Sequence, residues 1–382
     1  MRYEPADLFF VAGEASGDLQ ASLLARAVAR LVPDLRVGAI GGERLREAGA
    51  RVIYDATELA SIGPVSILPK IPVLYAIVRG LETALRKHPP GIFIPVDAGA
   101  INLRLVTWLR KGGYRAPILY YFPPGAWLDN VEQARKVADQ TVPVTPFARQ
   151  RDFYAHNGLR AEWFGHPLAS VIHRRASEPS TPRPLVAILP GSRREEVAHH
   201  LDVLARAASR LSAAANVSFV CVAASQARAD QIRTLWSRSG GPNEMSISRA
   251  GVVAAVANAT VAWTSSGTAA LETALVGVPQ IVFYRVSKTQ YRLARHQLPR
   301  RLLESIALPN LVLGRRVVPE LLQADFTAEN LERLTLSLLT DEAARRAQVT
   351  ACDEMRVALG PADALERIAT FVAERLQQRA AS

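Results

Sequence analysis

The sequence is poor in the residues that staple, span or chelate. It carries two cysteines in 382 residues. Cys221 and Cys352 lie far apart and outside any C-x-x-C or Cys/His spacing, which weighs against a disulfide framework or a zinc site. We expect both to be buried small apolar residues in a reducing compartment. Aromatics make up 7% and are not interleaved with bases, so a nucleic-acid binder ranks last among the readings and none is expected as a partner. The longest apolar stretch, 61–78, is interrupted by Lys70 and three prolines, so no bilayer-crossing segment is expected. The start of the chain, Leu8–Ala12 followed by Glu14 and Asp18, does not read as a secretory leader. Also missing are a G-x-S-x-G elbow, an H-E-x-x-H and an Asp-x-Asp beside a strand end, which weighs against a serine hydrolase, a zinc peptidase and a diphosphate-bound Mg²⁺. His166, His173, His199, His200 and His296 show no ligand spacing and read as surface residues, so no metal is expected.

What is present is an ordinary globular composition, 49% hydrophobic and 21% charged, in a chain too long for one core. A net charge of +11 implies anionic company: a phosphorylated substrate, nucleic acid or an acidic membrane. Strand, loop and helix recur along the chain, which predicts α/β architecture with doubly wound sheets. The polar, proline-containing stretch 174–184 reads as a linker, and the end of the chain reads as helical. The expected divisions are a first domain over 1–175, a second over 184–345 and terminal helices over 346–382.

Four loops stand out at predicted strand ends. Leu8–Ala12 leads into Gly13-Glu14-Ala15-Ser16-Gly17-Asp18, two glycines with two carboxylates. That suits hydroxyl binding or proton transfer, and equally acids offsetting a helix dipole. Gly91–Val96 ends in Asp97, and a carboxylate just past a parallel strand is a general-base candidate. Leu185–Leu189 leads into Pro190-Gly191-Ser192-Arg193, a basic loop suited to phosphate. Val261–Thr264 leads into Ser265-Ser266-Gly267-Thr268 and the helix former Ala269–Val276. There a helix N-terminus would face an anion, with Glu272 one turn further on to accept sugar hydroxyls. The alternative is an ordinary helix cap. Two stretches suit a membrane surface: the apolar segment with bases at 61–87, and 285–301, with six Lys or Arg and no acid.

Taken in order, Ala12–Asp18, Val96-Asp97-Ala98, Gly165-His166-Pro167-Leu168, Leu189–Arg193, Ser266–Glu272, Leu308-Pro309-Asn310 and Val318–Gln323 resemble the lipid-A-disaccharide synthases. These are metal-independent glycosyltransferases of the GT-B type, with two Rossmann-like domains facing across a cleft. The resemblance implies lipid A biosynthesis: UDP-2,3-diacylglucosamine and 2,3-diacylglucosamine 1-phosphate give the disaccharide 1-phosphate and UDP, with no cofactor. It implies Asp97 and Glu14 as catalytic residues. Donor binding falls to Arg193, Ser266, Gly267, Thr268, Ala269, Glu272, Asn310 and Gln323, and acceptor binding to Gly13, Ser16, Gly17, Asp18 and Asn102. Ile67, Leu68, Ile71, Val73 and Leu74 would meet the cytoplasmic face of an anionic inner membrane, where the protein is peripheral. A homodimer is compatible with this reading, and the last helix is expected to return to the first domain. The sequence departs from the family on the acceptor side. The usual Ala-Pro-Asp-Phe-Asn after the aspartate is Ala98-Gly99-Ala100-Ile101-Asn102, the Trp-Ala-Trp segment is Pro124-Gly125-Ala126-Trp127-Leu128, and the acid after Pro-Phe is Ala148. Another acceptor on the same fold, or a UDP-N-acetylglucosamine 2-epimerase-like enzyme, is the alternative.

Overall fold

Runs such as the apolar Leu-Phe-Phe-Val-Ala at 8–12 and the mainly apolar Val-Ala-Trp-Thr-Ser at 261–265 are buried along their whole length, as strands of a parallel sheet covered on both faces must be. In a computed structural model, which describes residues 3–56, 71–177, 183–297 and 299–380, these runs are inner strands of two six-stranded sheets. The chain divides into two compact units, residues 1–170 with 359–382, and residues 171–358.

In the first unit β1 (Leu8–Ala12), α1 (Ala15–Ala29), β2 (Val37–Gly41), α2 (Glu43–Glu47), β3 (Arg51–Asp55), α3 (Ile71–Lys87), β4 (Ile92–Val96) and α4 (Gly99–Lys111) precede β5 (Leu119–Tyr121) and β6 (Val142–Val144). The sheet order is β3-β2-β1-β4-β5-β6, all parallel, with Ala12 beside Val96. Side chains of α1 pack with Leu8, Phe10, Ile94 and Val96 on one face. Those of α3 and α4 pack with Phe9, Val11 and Phe93 on the other.

The second unit repeats the plan with β7 (Leu185–Leu189), α5 (Arg194–Ala214), β8 (Ser218–Val222), β9 (Ser246–Ser248), β10 (Val261–Ser265), α6 (Thr268–Val276), β11 (Gln280–Tyr284), α7 (Lys288–Gln297), α8 (Leu308–Leu313) and β12 (Glu320–Leu322). The order is β12-β11-β10-β7-β8-β9. Trp263 is fully buried and spends its only donor on Thr335 Oγ1 at 2.8 Å, which satisfies the indole in the core.

The terminal segment 346–382 is divided between the units. Helix α9 (Glu342–Ala358) stays with the second, where Arg356 donates to Ile172 O at 3.0 Å. Helix α10 (Ala364–Ala380) belongs to the first. Its Leu365, Ile368, Ala369 and Val372 enter the same apolar cluster as α1, and Arg379 donates to Gly91 O at 2.9 Å. Gly360-Pro361 makes the break, because proline cannot continue a helix.

Candidate functional site

Both sheets have the strand order in which neighbouring central strands send their chains to opposite faces. That leaves a crevice beyond their carboxyl ends, the place where open α/β sheets bind ligands. In the first unit the strands are β1 and β4. A Cβ on Gly13 would lie 3.6 Å from Ala98 Cβ, so the two loops run side by side. Asp97 is exposed and held by its backbone: its N–H donates to Tyr121 O at 3.1 Å, and its carbonyl accepts from Tyr120 Oη at 2.9 Å and Asn102 Nδ2 at 3.0 Å. Asp97 and Ala98 both have left-handed backbone, φ +49° and +45°. Two consecutive L-residues in that region carry a strain of about 1–2 kcal/mol each. This clamp keeps the carboxylate at the crevice.

Several residues expected to touch the acceptor have other work. Asn102 is completely buried, and Nδ2 also reaches Val96 O at 3.0 Å and Val11 O at 3.2 Å. It ties β1 to β4 and positions Asp97, while its buried Oδ1 has no protein partner among the described residues. Asp18 is 3% exposed. Its Oδ1 accepts from Gly42 N at 2.7 Å and Leu45 N at 3.3 Å, and its Oδ2 from Arg44 N at 3.0 Å. It therefore caps α2, whose first N–H groups have no partner inside the helix. Burial raises its carboxyl pKa against the pull of these donors. Gly17 is buried, with Ala12 Cβ 3.6 Å from where its own Cβ would be, a packing role. Gly13, Glu14 at the N-cap of α1, and Ser16 in its first turn remain partly exposed at the crevice.

In the second unit the central strands are β7 and β10, with Leu189 beside Thr264. After β7, Gly191 has φ +113°, and a Cβ there would fall 2.6 Å from Glu196 Oε2. Glu196 accepts from the Arg193 backbone N–H at 3.3 Å and from its Nη1 at 3.2 Å. Arg193 thus sits at the N-cap position of α5, with Glu196 reaching back to it and partly meeting its charge. After β10, Gly267 has φ +141° and ψ −159°, a conformation essentially restricted to glycine, with open space where a Cβ would be. Thr268 then opens α6, with no side-chain cap on its N-terminus. Thr268, Ala269 and Glu272 are half-buried, and Glu272 lies one turn beyond Thr268. Thr264 Oγ1 and Ser265 Oγ, both buried, have no protein partner among the described residues. A helix start with hydroxyls and open space suits an anion.

Three further polar groups brace this site. Ser266 Oγ donates to Ile306 O at 2.9 Å. The loop bearing Ile306 is held by Glu320, which accepts from Ser305 Oγ at 2.6 Å, Ile306 N at 2.7 Å, Ala307 N at 3.1 Å and Asn310 Nδ2. Asn310, expected at the donor, is buried. Its Oδ1 accepts from Val317 N at 2.7 Å and Val318 N at 2.9 Å, and its Nδ2 also donates to Val318 O at 3.0 Å. All its polar capacity goes into the protein, so a direct donor contact is corrected to a positioning role. Glu320, missed from sequence, had a signal: one acid inside the apolar run Val317–Leu322. Gln323 is half-buried at φ +51°, and its carbonyl accepts from Arg285 Nε at 3.3 Å and Nη2 at 3.2 Å.

The histidines also need correcting. His200 is fully buried. Its Nδ1–H donates to Pro190 O at 2.8 Å while Nε2 accepts from Arg285 N at 3.1 Å, which joins the loops after β7 and β11. His166 is buried and packs against Phe122 and Phe147. Burial lowers the pKa of His166 to about 3 and of His200 to about 4. Neither is a surface residue, because aromatic packing and paired backbone partners replace water.

Ile67 and Leu68 lie outside the described residues. Ile71, Val73 and Leu74 fall in α3, of which Tyr75 is 55% exposed. Among the described residues no helix is long and apolar enough to cross a membrane, and no cluster of three or more His, Cys, Asp or Glu could hold a metal.

Comparison with known proteins matches residues 8–369 to the lipid-A-disaccharide synthetase family. The chain belongs to this family. A lipid-A-disaccharide synthase of Myxococcus xanthus is 34% identical, covering 97% of this chain and 98% of its own length. One of Geobacter sulfurreducens is 32% identical, covering 97% of each. Among solved structures, an S. aureus MnaA–UDP complex aligns with TM-score 0.66 over 97% of this chain and 96% of that one, at 12% identity. The calicheamicin glycosyltransferase CalG4 aligns with TM-score 0.58 over 98% and 99%, at 14% identity. At such identities these likenesses concern fold alone, and they agree with two Rossmann-like units of the GT-B class.

Proposed function

We propose that this chain is a lipid-A-disaccharide synthase that transfers the glucosaminyl group of UDP-2,3-diacylglucosamine to 2,3-diacylglucosamine 1-phosphate. In this reading Asp97 takes the proton from the acceptor 6-hydroxyl as its oxygen bonds to the anomeric carbon. The bond from that carbon to the diphosphate oxygen breaks, and UDP leaves with the electron pair. Inversion needs a single base and no covalent intermediate. Glu14, Gly13 and Ser16 line the acceptor side. On the donor side the N-terminus of α6, with Ser266, Gly267, Thr268 and Ala269, receives the diphosphate together with Arg193. Glu272 and Gln323 meet the sugar and nucleoside. Charge on the leaving group is met by backbone N–H groups, hydroxyls and arginine, which is electrostatic stabilisation without a metal.

The observation that carries the reading is the placement of an exposed, backbone-clamped carboxylate at one switch point and an open helix start at the other, in a chain of this family. The reading includes peripheral attachment to the cytoplasmic face of the inner membrane through 61–87. Its test is Asp97→Asn, an isosteric change at an exposed side chain. Turnover is expected to fall by roughly 10² or more with UDP affinity and melting temperature unchanged. Near-normal turnover would remove Asp97 as the base.

A further inference from the structure

Helix α7 (Lys288–Gln297) has a cationic face for which the fold supplies no use. Its start is well specified: Ser287 Oγ accepts from Gln290 N at 3.2 Å and Gln290 Oε1 accepts from Ser287 N at 3.1 Å, a reciprocal capping box. Gln290 Nε2 also donates to Glu195 Oε2 at 3.3 Å, which fixes which side of the helix turns inward. Lys288, Arg292, Arg295 and His296 are exposed. At intervals of four, seven and eight residues they form one stripe. Like charges four apart destabilise a helix, and residues 285–301 contain no acid. An external anion at the exposed stripe would relieve this repulsion. Beside it Leu293 is 57% exposed.

We propose that α7 is a docking surface for an anionic lipid bilayer, with Lys288, Arg292 and Arg295 on the lipid phosphates and Leu293 entering the headgroup–acyl boundary. Two features favour a bilayer over other polyanions. An apolar side chain flanking the cations gains from an acyl layer and nothing from a polynucleotide. The helix also offers no exposed aromatic for base stacking, since Tyr291 is half-buried. The inference rests on the reading of this chain as an enzyme of lipid substrates for its purpose, and adds a contact that 61–87 does not supply.

The test uses the full chain and vesicles of phosphatidylcholine with or without phosphatidylglycerol, read by co-sedimentation. The intact protein is expected to prefer the anionic vesicles. The variant Lys288→Gln, Arg292→Gln, Arg295→Gln should bind them about 100-fold more weakly, roughly a factor of five per cation. Leu293→Ser should weaken binding while leaving its salt dependence as it was. All four positions are exposed, and an unchanged melting temperature verifies the fold. Equal binding by the triple variant, no preference of the intact chain for anionic vesicles, or RNA displacing the vesicles would each overturn the proposal. UDP release from detergent-dispersed substrates, expected to be equal in intact and variant protein, reports separately on the enzymatic reading.

Discussion

Replacing Glu320 by Gln keeps size and shape and removes only the second acceptor oxygen and the charge. The carboxylate, 8% exposed, faces four donors: Ser305 Oγ, Ile306 N, Ala307 N and Asn310 Nδ2. A glutamine can turn its oxygen toward the two backbone N–H groups, and Ser305 can rotate to accept from the new amide. Asn310 Nδ2 cannot accept, so one buried N–H loses its partner, at a cost of roughly 1–3 kcal/mol. The two backbone bonds also lose their charge assistance, about 1 kcal/mol each. The sum is about 3–5 kcal/mol, or a fall of roughly 6–20 °C in the melting of a unit of this size. The displaced loop carries the carbonyl that accepts from Ser266 Oγ, so affinity for UDP should fall about tenfold, the equivalent of one misplaced hydrogen bond. Circular dichroism melting and calorimetric titration with UDP read the two effects. Melting within about 2 °C of the parent would refute the role of the carboxylate. A lowered melting temperature with unchanged UDP affinity would refute its link to the donor site.

Gly267→Ala should weaken UDP binding and cost about 2–3 kcal/mol through backbone strain, although the space for a methyl group is open. Normal UDP affinity in a stable Ala variant would show that this φ is not required. Stability should also fall on acidification. His166 and His200 are neutral in the fold, with pKa values lowered by burial to about 3 and about 4, whereas in the unfolded chain they titrate near 6.5. Below that pH the unfolded state binds more protons, so the loss begins near pH 6.5 and reaches about 3 kcal/mol for His200 alone by pH 4. Urea unfolding that gave the same stability at pH 7 and pH 4 would contradict neutral buried histidines.

The inner strands were legible because burial on both faces demands continuous apolar runs, and β1, β4, β7, β10 and β11 have them. The edge strands β3, β9 and β12 were not. Arg51–Asp55 is exposed or half-buried along its length and Ser246–Ser248 holds a single apolar residue, Ile247, between two serines, so neither carries an apolar signature. Helix α1 was expected from Leu19 and starts at Ala15, because Gly17 there serves close packing on Ala12 and not a turn. At the sites, the loops that matter were legible from strand-loop-helix order. The partners of their polar residues were not. Asp18 meets N–H groups 24 to 27 residues away, and Asn102 reaches a carbonyl 91 residues away. A polar residue in a motif looks the same whether it serves a ligand or a distant backbone group. The position of Asp97 at the crevice was legible because it follows from its place after β4 alone.

UDP release by the purified chain given UDP-2,3-diacylglucosamine, with and without 2,3-diacylglucosamine 1-phosphate, tests the central claim most directly. Release that depends on the acceptor, together with appearance of the disaccharide 1-phosphate, is the result this account predicts. Donor binding with no acceptor-dependent release would contradict it.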